Sequence, residues 1–306
     1  MKPSVFAIVV NYNGVSDTLE CLESLQDITY TNFHVLVVDN ASSDNSVQII
    51  KGKYPDVGVL ETGSNLGYGG GNNKGIEHAL ECDAQFVLIL NNDMVFEPSM
   101  VDALVATALE SPATGMVCGK VFYFDRPDII WSAGSAIDMR TGGPKLIGNG
   151  ETDNGTHHQA RQVDMIDGCL LLVTRQLCDK VGLIDTTYFA YYEDVDWAIR
   201  STRAGFKIIY TPEARAWHKV SASGTVNGER SPFQLYYHMR NHLLFLSRYS
   251  SITLGKHFEM FATVVFGLLK TACGYEPALS RARYRGILDY YRGRFGYRVP
   301  PPNRNQ

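Results

Sequence analysis

The chain has 306 residues, 45% hydrophobic and 20% charged, with a formal net charge of −4. That length and apolar content can bury one large domain with an appendage, as a soluble enzyme does, and exclude a chain without a core. The six cysteines, at positions 21, 82, 118, 169, 178 and 273, show no C-x-x-C spacing, which excludes a disulfide framework and makes reduced thiols in the cytosol the simplest expectation.

The first element is the apolar run Val5-Phe6-Ala7-Ile8-Val9-Val10, of the kind found in strands buried on both faces. It follows the N-terminus with no signal-peptide pattern, so the sequon Asn154-Gly155-Thr156 is expected to stay unglycosylated. The strand ends in Asn11-Tyr12-Asn13-Gly14, and a helix is predicted from Ser16 to Leu25 with apolar residues at Leu19, Leu22 and Leu25. A second strand, His34 to Val38, ends in Asp39-Asn40-Ala41-Ser42-Ser43-Asp44, where Ser42, Ser43 or Asp44 is a natural N-cap for the next helix. A weaker strand from Val57 to Leu60 leads into Gly63-Ser64-Asn65-Leu66-Gly67-Tyr68-Gly69-Gly70-Gly71-Asn72. The run Gln85-Phe86-Val87-Leu88-Ile89-Leu90 is again too short for an ordinary helix, and Asn91-Asn92-Asp93 fall at its carboxyl end. This βαβαβαβ alternation predicts right-handed crossovers and a parallel sheet with helices on both faces.

In open parallel sheets ligands bind at the carboxyl edge, so the hard oxygen donor Asp93 is well placed to hold Mg²⁺ or Mn²⁺. A plain polar turn after a strand would use the same residues. Asp39 can accept the ring N–H of a pyrimidine, or cap a helix. Asn11 and Asn13 carry amides that both donate and accept, and would line the same pocket or form a simple turn. Gly67 to Gly71 permit close backbone approach and leave amides free to face phosphate or sugar oxygens. They do not form a dinucleotide fingerprint, because Asn72 occupies the place of its third glycine, and no Gly-Lys-Ser/Thr follows to make a phosphate loop.

Residues 120–163 are richer in glycine and polar residues, and Trp131 within them is either a sugar-stacking platform or a core tryptophan. Glu193-Asp194-Val195-Asp196 can open a helix, with Asp196 and Arg200 at an ion-pair spacing that suits scaffolding. Phe189, Tyr191, Tyr192 and Trp197 are expected to desolvate Asp194 and raise its pKa. His218 follows a short strand, Lys207 to Tyr210, and Lys219 and Arg240 are either diphosphate partners or solvated surface charges. Farther on, Ser231 to Ser247 reads as helical, and Phe258 to Leu269 as an apolar helical segment below the roughly 20 residues that span a bilayer. After it Arg281, Arg283, Arg285, Arg292, Arg294 and Arg298 alternate with aromatics. No nucleic-acid motif accompanies them and the chain is acidic overall, so an anionic membrane surface fits better than nucleic acid; a solvated or oligomer-facing helix is the bland alternative.

Six stretches, taken in order, resemble a family 2 glycosyltransferase with the GT-A fold. They are Val9-Val10-Asn11-Tyr12-Asn13, Val38 to Asp44, Asn65 to Asn72, Leu90-Asn91-Asn92-Asp93, Asp167-Gly168-Cys169 and Phe189 to Asp196, spread over about two thirds of the chain. The wording is most similar to bacterial rhamnosyltransferase-like members that build surface polysaccharides. The resemblance implies an α/β GT-A fold with a mostly parallel central sheet and a C-terminal helical extension. It divides the chain into a catalytic domain at 1–225 (nucleotide-sugar half 1–115, acceptor-side half 116–225) and a basic helical extension at 226–306. It implies Asp194 as catalytic base with Glu193 beside it. It places Asn11, Asn13, Asp39, Asn65, Gly67, Asn72, Asn91 and Asn92 around the nucleotide sugar, and Asp93 and His218 on a divalent cation, Mg²⁺ or Mn²⁺. The implied activity is inverting transfer of a sugar, L-rhamnose from dTDP-L-rhamnose as the first expectation, to a lipid-linked or growing surface glycan. A UDP-sugar donor (GlcNAc, galactose or galactofuranose) is the alternative within the class. A sugar nucleotidyltransferase or a non-catalytic binding module comes behind it. Partners are then the nucleotide-sugar donor, a glycan or glycolipid acceptor, and an anionic membrane touched peripherally from the cytoplasmic side, with a homodimer left open.

Overall fold

The computed structural model describes residues 2–220, 225–226, 229–250, 252–274 and 278–301. The chain divides into two compact units, the first comprising Met1–Ile137, Pro144–Asp185 and Asp194–Val220, the second Asp138–Gly143, Thr186–Glu193 and Ser221–Gln306.

The first unit begins as β1 (Val5–Asn11), α1 (Val15–Gln26), β2 (Phe33–Asp39), α2 (Ser46–Lys53), β3 (Gly58–Glu61), α3 (Gly67–Glu81) and β4 (Phe86–Asn91). These four strands are parallel, in the order β3-β2-β1-β4. Their registers set the polar ends level, with Asn11 opposite Asp39 and Val10 opposite Asn91. Then come β5 (Met94–Phe96), α4 (Met100–Leu109), β6 (Thr114–Tyr123), β7 (Arg126–Ser132), β8 (Ser135–Asp138), β9 (Gly143–Leu146), β10 (Arg161–Gln162), β11 (Leu170–Thr174), α5 (Arg175–Val181), α6 (Glu193–Arg203) and β12 (Lys207–His218). The full sheet runs β10-β12-β6-β11-β4-β1-β2-β3, with β5 joined to β12 and β7 to β6. It is α/β as expected, but mixed rather than mostly parallel. β11 enters antiparallel to both β4 and β6, and β12 returns parallel to β6.

The apolar runs are buried for the reason the sequence suggests. Val5, Ala7 and Val9 of β1, Val37 of β2 and Leu88 and Leu90 of β4 pack with Leu22 and Leu25 of α1 and Leu104 of α4 in one core. Two details differ from expectation. The helix after β2 starts at Ser46 with Asn45 in the cap position and no side-chain cap; Asp44 instead accepts a hydrogen bond from the Ser46 N–H. The glycine run is helical rather than an open ligand loop, for Gly69, Gly70, Gly71 and Gly75 are buried in α3. A Cβ at Gly75 would lie 2.5 Å from Ile8 Cγ2 on β1, and one at Gly71 would lie 3.1 Å from Val10 Cγ1. Small residues on this helix face therefore let α3 approach the strand closely.

In the second unit, β13 (Thr225–Val226) and β14 (Glu229–Arg230) form a small hairpin before α7 (Pro232–Tyr249), α8 (Leu254–Ala272) and α9 (Ala278–Tyr291). Ser231 caps α7 by accepting from Gln234 N–H, and Pro232 follows at the position that needs no donor. Arg240 is fully buried here. Its guanidinium donates to the carbonyls of Tyr188 at 2.6 Å and Gly296 at 2.7 Å, so it is a structural tie and not a diphosphate partner. Its neighbour Asn241 donates from one amide nitrogen to the carbonyls of Tyr188, Ala190 and Tyr191, at 2.7–2.9 Å. These bonds hold a strained segment, because Phe189, Tyr191 and Tyr192 all have positive φ (67°, 67° and 76°), a conformation that costs side-chain-bearing residues on the order of 1–3 kcal/mol each.

The α3 packing gives a paired prediction. Gly75→Ala gains helix propensity but forces the buried Ile8 aside, and should lower stability by about 1–3 kcal/mol. Gly52→Ala in α2, where nothing lies within 4 Å of the new Cβ, should instead raise it by about 0.5–1 kcal/mol. Urea midpoints at unchanged slope distinguish the two.

Candidate active site

The level strand ends of the first unit carry a connected set of polar side chains. Asn11, fully buried, donates to Asp39 Oδ1 at 2.8 Å and to Ser42 Oγ at 3.0 Å, and accepts from Thr18 Oγ1 at 2.8 Å. Thr18 also receives the Asn92 amide at 3.0 Å. Asn11 and Asn92 are thus struts that brace the β1–α1 turn through Thr18. Asp39 accepts one bond on each oxygen, from Asn11 and from the Ser42 N–H at 2.9 Å, and each oxygen keeps a second lone pair for a ligand donor. Asn13, at φ 49°, accepts from Ser43 N–H at 2.7 Å. Asn65 accepts from Gly67 N–H at 2.9 Å. Gly67 itself has φ +75° and begins α3.

Asn40 was not singled out by its sequence context, yet it ties β2 to this turn. Its amide donates to the Gly67 carbonyl at 3.0 Å and its oxygen accepts from Leu66 N–H at 3.0 Å. Asn72 lies one turn into α3, buried, with its amide on the Tyr68 carbonyl and its oxygen without a partner. The Tyr68 hydroxyl donates to the Gly168 carbonyl. Asn91 is half-buried, and its backbone N–H binds the Cys169 carbonyl at 3.0 Å.

Asp93 and His218 meet because β5 pairs antiparallel with β12, setting Met94 opposite His218. The expected short strand before His218 is in fact the twelve-residue β12, which continues through a register shift between Tyr210 and Arg215. His218 Nε2 lies 3.1 Å from Asp93 Oδ1, and both side chains are buried. Nδ1 of His218 is buried without a hydrogen-bond partner. Trp131 packs edge-on against the imidazole with ring centroids 4.8 Å apart. This fits a divalent cation only in part. A carboxylate oxygen and an imidazole nitrogen at that separation suit two adjacent ligands of one ion, but among the described residues no group of three or more His, Cys, Asp or Glu side chains converges for a metal. The remaining ligands would have to come from a bound diphosphate or water. Lys219 forms ion pairs with Asp17 at 3.0 Å and Glu20 at 2.7 Å on α1, so its charge is already balanced within the protein.

Asp194 sits at the start of α6, partly exposed, with Oδ2 accepting from Gly168 N–H at 3.3 Å and Oδ1 from Val195 N–H at 2.8 Å. Loss of water around the carboxylate, reinforced by the charge of Asp167, raises its pKa from the ordinary 3.8 to about 6. Asp167 is raised by burial too, against the hydrogen bonds it accepts from Ser135 Oγ at 2.6 Å and Ser132 Oγ at 3.3 Å. Trp197 is fully buried and donates to the Gly182 carbonyl, while in the second unit Phe189 stacks on Tyr237 and Tyr191 on His238. Burial is the larger cause of the raised Asp194 pKa, and the charge of Asp167 adds to it. Asp167 stands in the stretch Asp167-Gly168-Cys169 that carries part of the resemblance, and that was its signal in the sequence. Glu193 is buried, and its charge adds to the burial that raises the Tyr191 phenol. Asp196 and Arg200 are scaffolding as expected, paired at 2.7 Å, with Arg200 also holding the carbonyls of Val181 and Leu183.

A family model described as "Glycosyl transferase family 2" matches residues 6–182. The N-acetylglucosaminyl-diphospho-decaprenol L-rhamnosyltransferase of Mycobacterium tuberculosis (strain ATCC 25618 / H37Rv) is 29% identical over 258 residues, covering 78% of this chain and 83% of that protein. The dTDP-rhamnosyl transferase RfbF of Shigella flexneri is 24% identical over 257 residues, covering 81% of each. Among solved structures, the mannosyltransferase PcManGT from Pyrobaculum calidifontis, in complex with GDP-Man and Mn²⁺, superposes with a TM-score of 0.58 at 17% identity, covering 95% of this chain and 88% of that one. That likeness establishes the GT-A fold.

The raised carboxyl makes a stability prediction. A group whose folded pKa exceeds its unfolded value favours folding below the unfolded pKa, and that contribution is lost as pH rises through about 6. At pH 7.5 the ionised Asp194 therefore opposes folding, on the order of 2 kcal/mol after discounting for its partial exposure. Asp194→Asn should melt higher than wild type at pH 7.5 in EDTA, with the difference vanishing by pH 4; calorimetry across that range checks it.

Proposed function

Given that the chain belongs to glycosyl transferase family 2, we propose that it is an inverting, metal-dependent transferase that moves L-rhamnose from dTDP-L-rhamnose to a lipid-linked glycan. The observation that carries this reading is the Asp194 carboxylate, partly exposed and raised to about 6, which suits a general base working near neutral pH. The donor and acceptor classes draw support from the relatives named for rhamnosyl transfer in M. tuberculosis and S. flexneri.

In this mechanism Asp39 accepts the ring N–H of the pyrimidine on a free lone pair, and the backbone around Asn13, Asn65 and Gly67 shapes the nucleotide pocket. Asp194 takes the proton of the acceptor hydroxyl as that oxygen attacks the anomeric carbon. The bond from that carbon to the diphosphate oxygen breaks in line, its electron pair leaves with the nucleoside diphosphate, and the configuration inverts. Asp93 and His218 would hold a divalent cation, which when bound offsets charge on the leaving diphosphate. The Mn²⁺ in the Pyrobaculum complex supports a cation in this fold. Asp167 is a positioning residue: its charge keeps the Asp194 proton affinity high, and the backbone N–H of the adjacent Gly168 orients the carboxylate.

Two experiments test the mechanism. Nucleotide release from dTDP-, UDP- and GDP-sugars, with a glycolipid acceptor and Mn²⁺ or Mg²⁺, should occur with dTDP-L-rhamnose and stop in EDTA. Asp194→Asn should slow it by about 10²–10⁴-fold; undiminished release from that variant would refute the assigned base. For Asp167→Asn the acid limb of the kcat/KM profile should move from near 6 toward the ordinary carboxylate range, since one neighbouring negative charge is removed. A limb left in place would make Asp167 purely structural.

A further inference from the structure

Helix α8 in the second unit presents a stripe of exposed apolar side chains. Leu254, Phe258, Phe261, Leu268 and Leu269, with the half-buried Val265 between them, recur at helical spacing. Leu254 is 86% exposed and Phe258 72%, with Phe266 beside the stripe at 65%. This is not the face by which α8 joins its own unit. Met260 is buried with Leu243 and Ile287, and Gly267 is a close approach where any Cβ would meet the Tyr284 ring of α9. A contiguous exposed face of phenylalanine and leucine marks an interaction site.

The charge beside it selects the partner. Residues 278–301 hold six arginines against one acid, Asp289, and Arg281, Arg283 and Arg285 alternate as exposed residues along α9. His257 of α8 and the Tyr291 hydroxyl of α9 are 2.7 Å apart, so the basic helix lies alongside the apolar one. No helix among the described residues is long and apolar enough to cross a membrane. An apolar stripe flanked by arginines matches the boundary between acyl chains and anionic headgroups. A second copy of the chain would bring like charges together.

We propose that α8 is an interfacial helix that seats the protein on an anionic lipid surface. The proposal touches the catalytic reading only through the lipid-linked acceptor, and it stands on separate residues. The test is co-sedimentation of the full chain, without sugar nucleotide, with vesicles of phosphatidylcholine alone or with phosphatidylglycerol, at low and high salt. The expected result is binding to the phosphatidylglycerol vesicles that weakens with salt. Phe258→Ser, Phe261→Ser and Phe266→Ser together should reduce it at least tenfold with melting unchanged, because those rings are exposed. Arg283→Gln with Arg285→Gln should lower both the affinity and its salt dependence. Absence of vesicle binding, or equal binding by the triple variant, would overturn the proposal. So would a wild-type dimer in sedimentation velocity that the triple variant converts to monomer without any lipid effect. Nucleotide release with a water-soluble acceptor is measured separately, so a failure of lipid binding is distinguishable from a failure of the transferase mechanism.

Discussion

The register of β1, β2 and β4 is the constraint on which the candidate site depends. Because Asn11 lies opposite Asp39 and Val10 opposite Asn91, three buried strands stop together and release their polar residues at one edge. A slip of one residue would turn each strand's side chains to the opposite face. It would also separate Asn11 from the two partners that satisfy its amide. The close packing of α3 reinforces the register, since glycines at 71 and 75 fit only against Val10 and Ile8 as they stand.

The first unit treats its carboxylates of low exposure in two ways. Asp196 is neutralised by Arg200 and sits inertly in the scaffold. Asp194 and Asp167 are held instead by hydroxyls and backbone N–H groups, and their charges repel. The difference in environment separates an ion-paired acid from one of raised proton affinity within three positions of the same helix. Ionising Asp194 near neutral pH therefore costs stability.

Much of this was legible in the sequence because buried parallel strands are unbroken apolar runs, and whatever follows them falls at the ligand edge. Asp39 and Asp93 could be placed in that way, whereas the start of α6, which follows α5 and a loop, rested on the resemblance of its motif. What escaped detection depends on partners far apart in the chain. Arg240 looks like a surface cation until the carbonyls of residues 187, 188 and 296 are seen around it. The rings of Phe189, Tyr191 and Tyr192, on left-handed backbone, stack within the second unit on Tyr237, His238 and His242 of α7. Asn11 and Asn92 resemble ligand-binding amides, and only the position of Thr18 reveals that they are bonded to one another's neighbour.

Asn241 joins the strained turn before α6 to helix α7 through one side-chain nitrogen shared by three carbonyls. Only an amide suits that position. Hydrolysis of the side chain to a carboxylate, the usual ageing reaction of asparagine, would exchange the shared donor for an acceptor facing three acceptors. That reaction requires the next backbone nitrogen to swing onto the side-chain carbon. In Asn241 that nitrogen belongs to His242, inside a continuous helical stretch from Pro232 to Tyr249. The helix that supplies the tie thus also shields it from spontaneous deamidation, and the turn leading to Asp194 is protected against chemical wear as well as against unfolding.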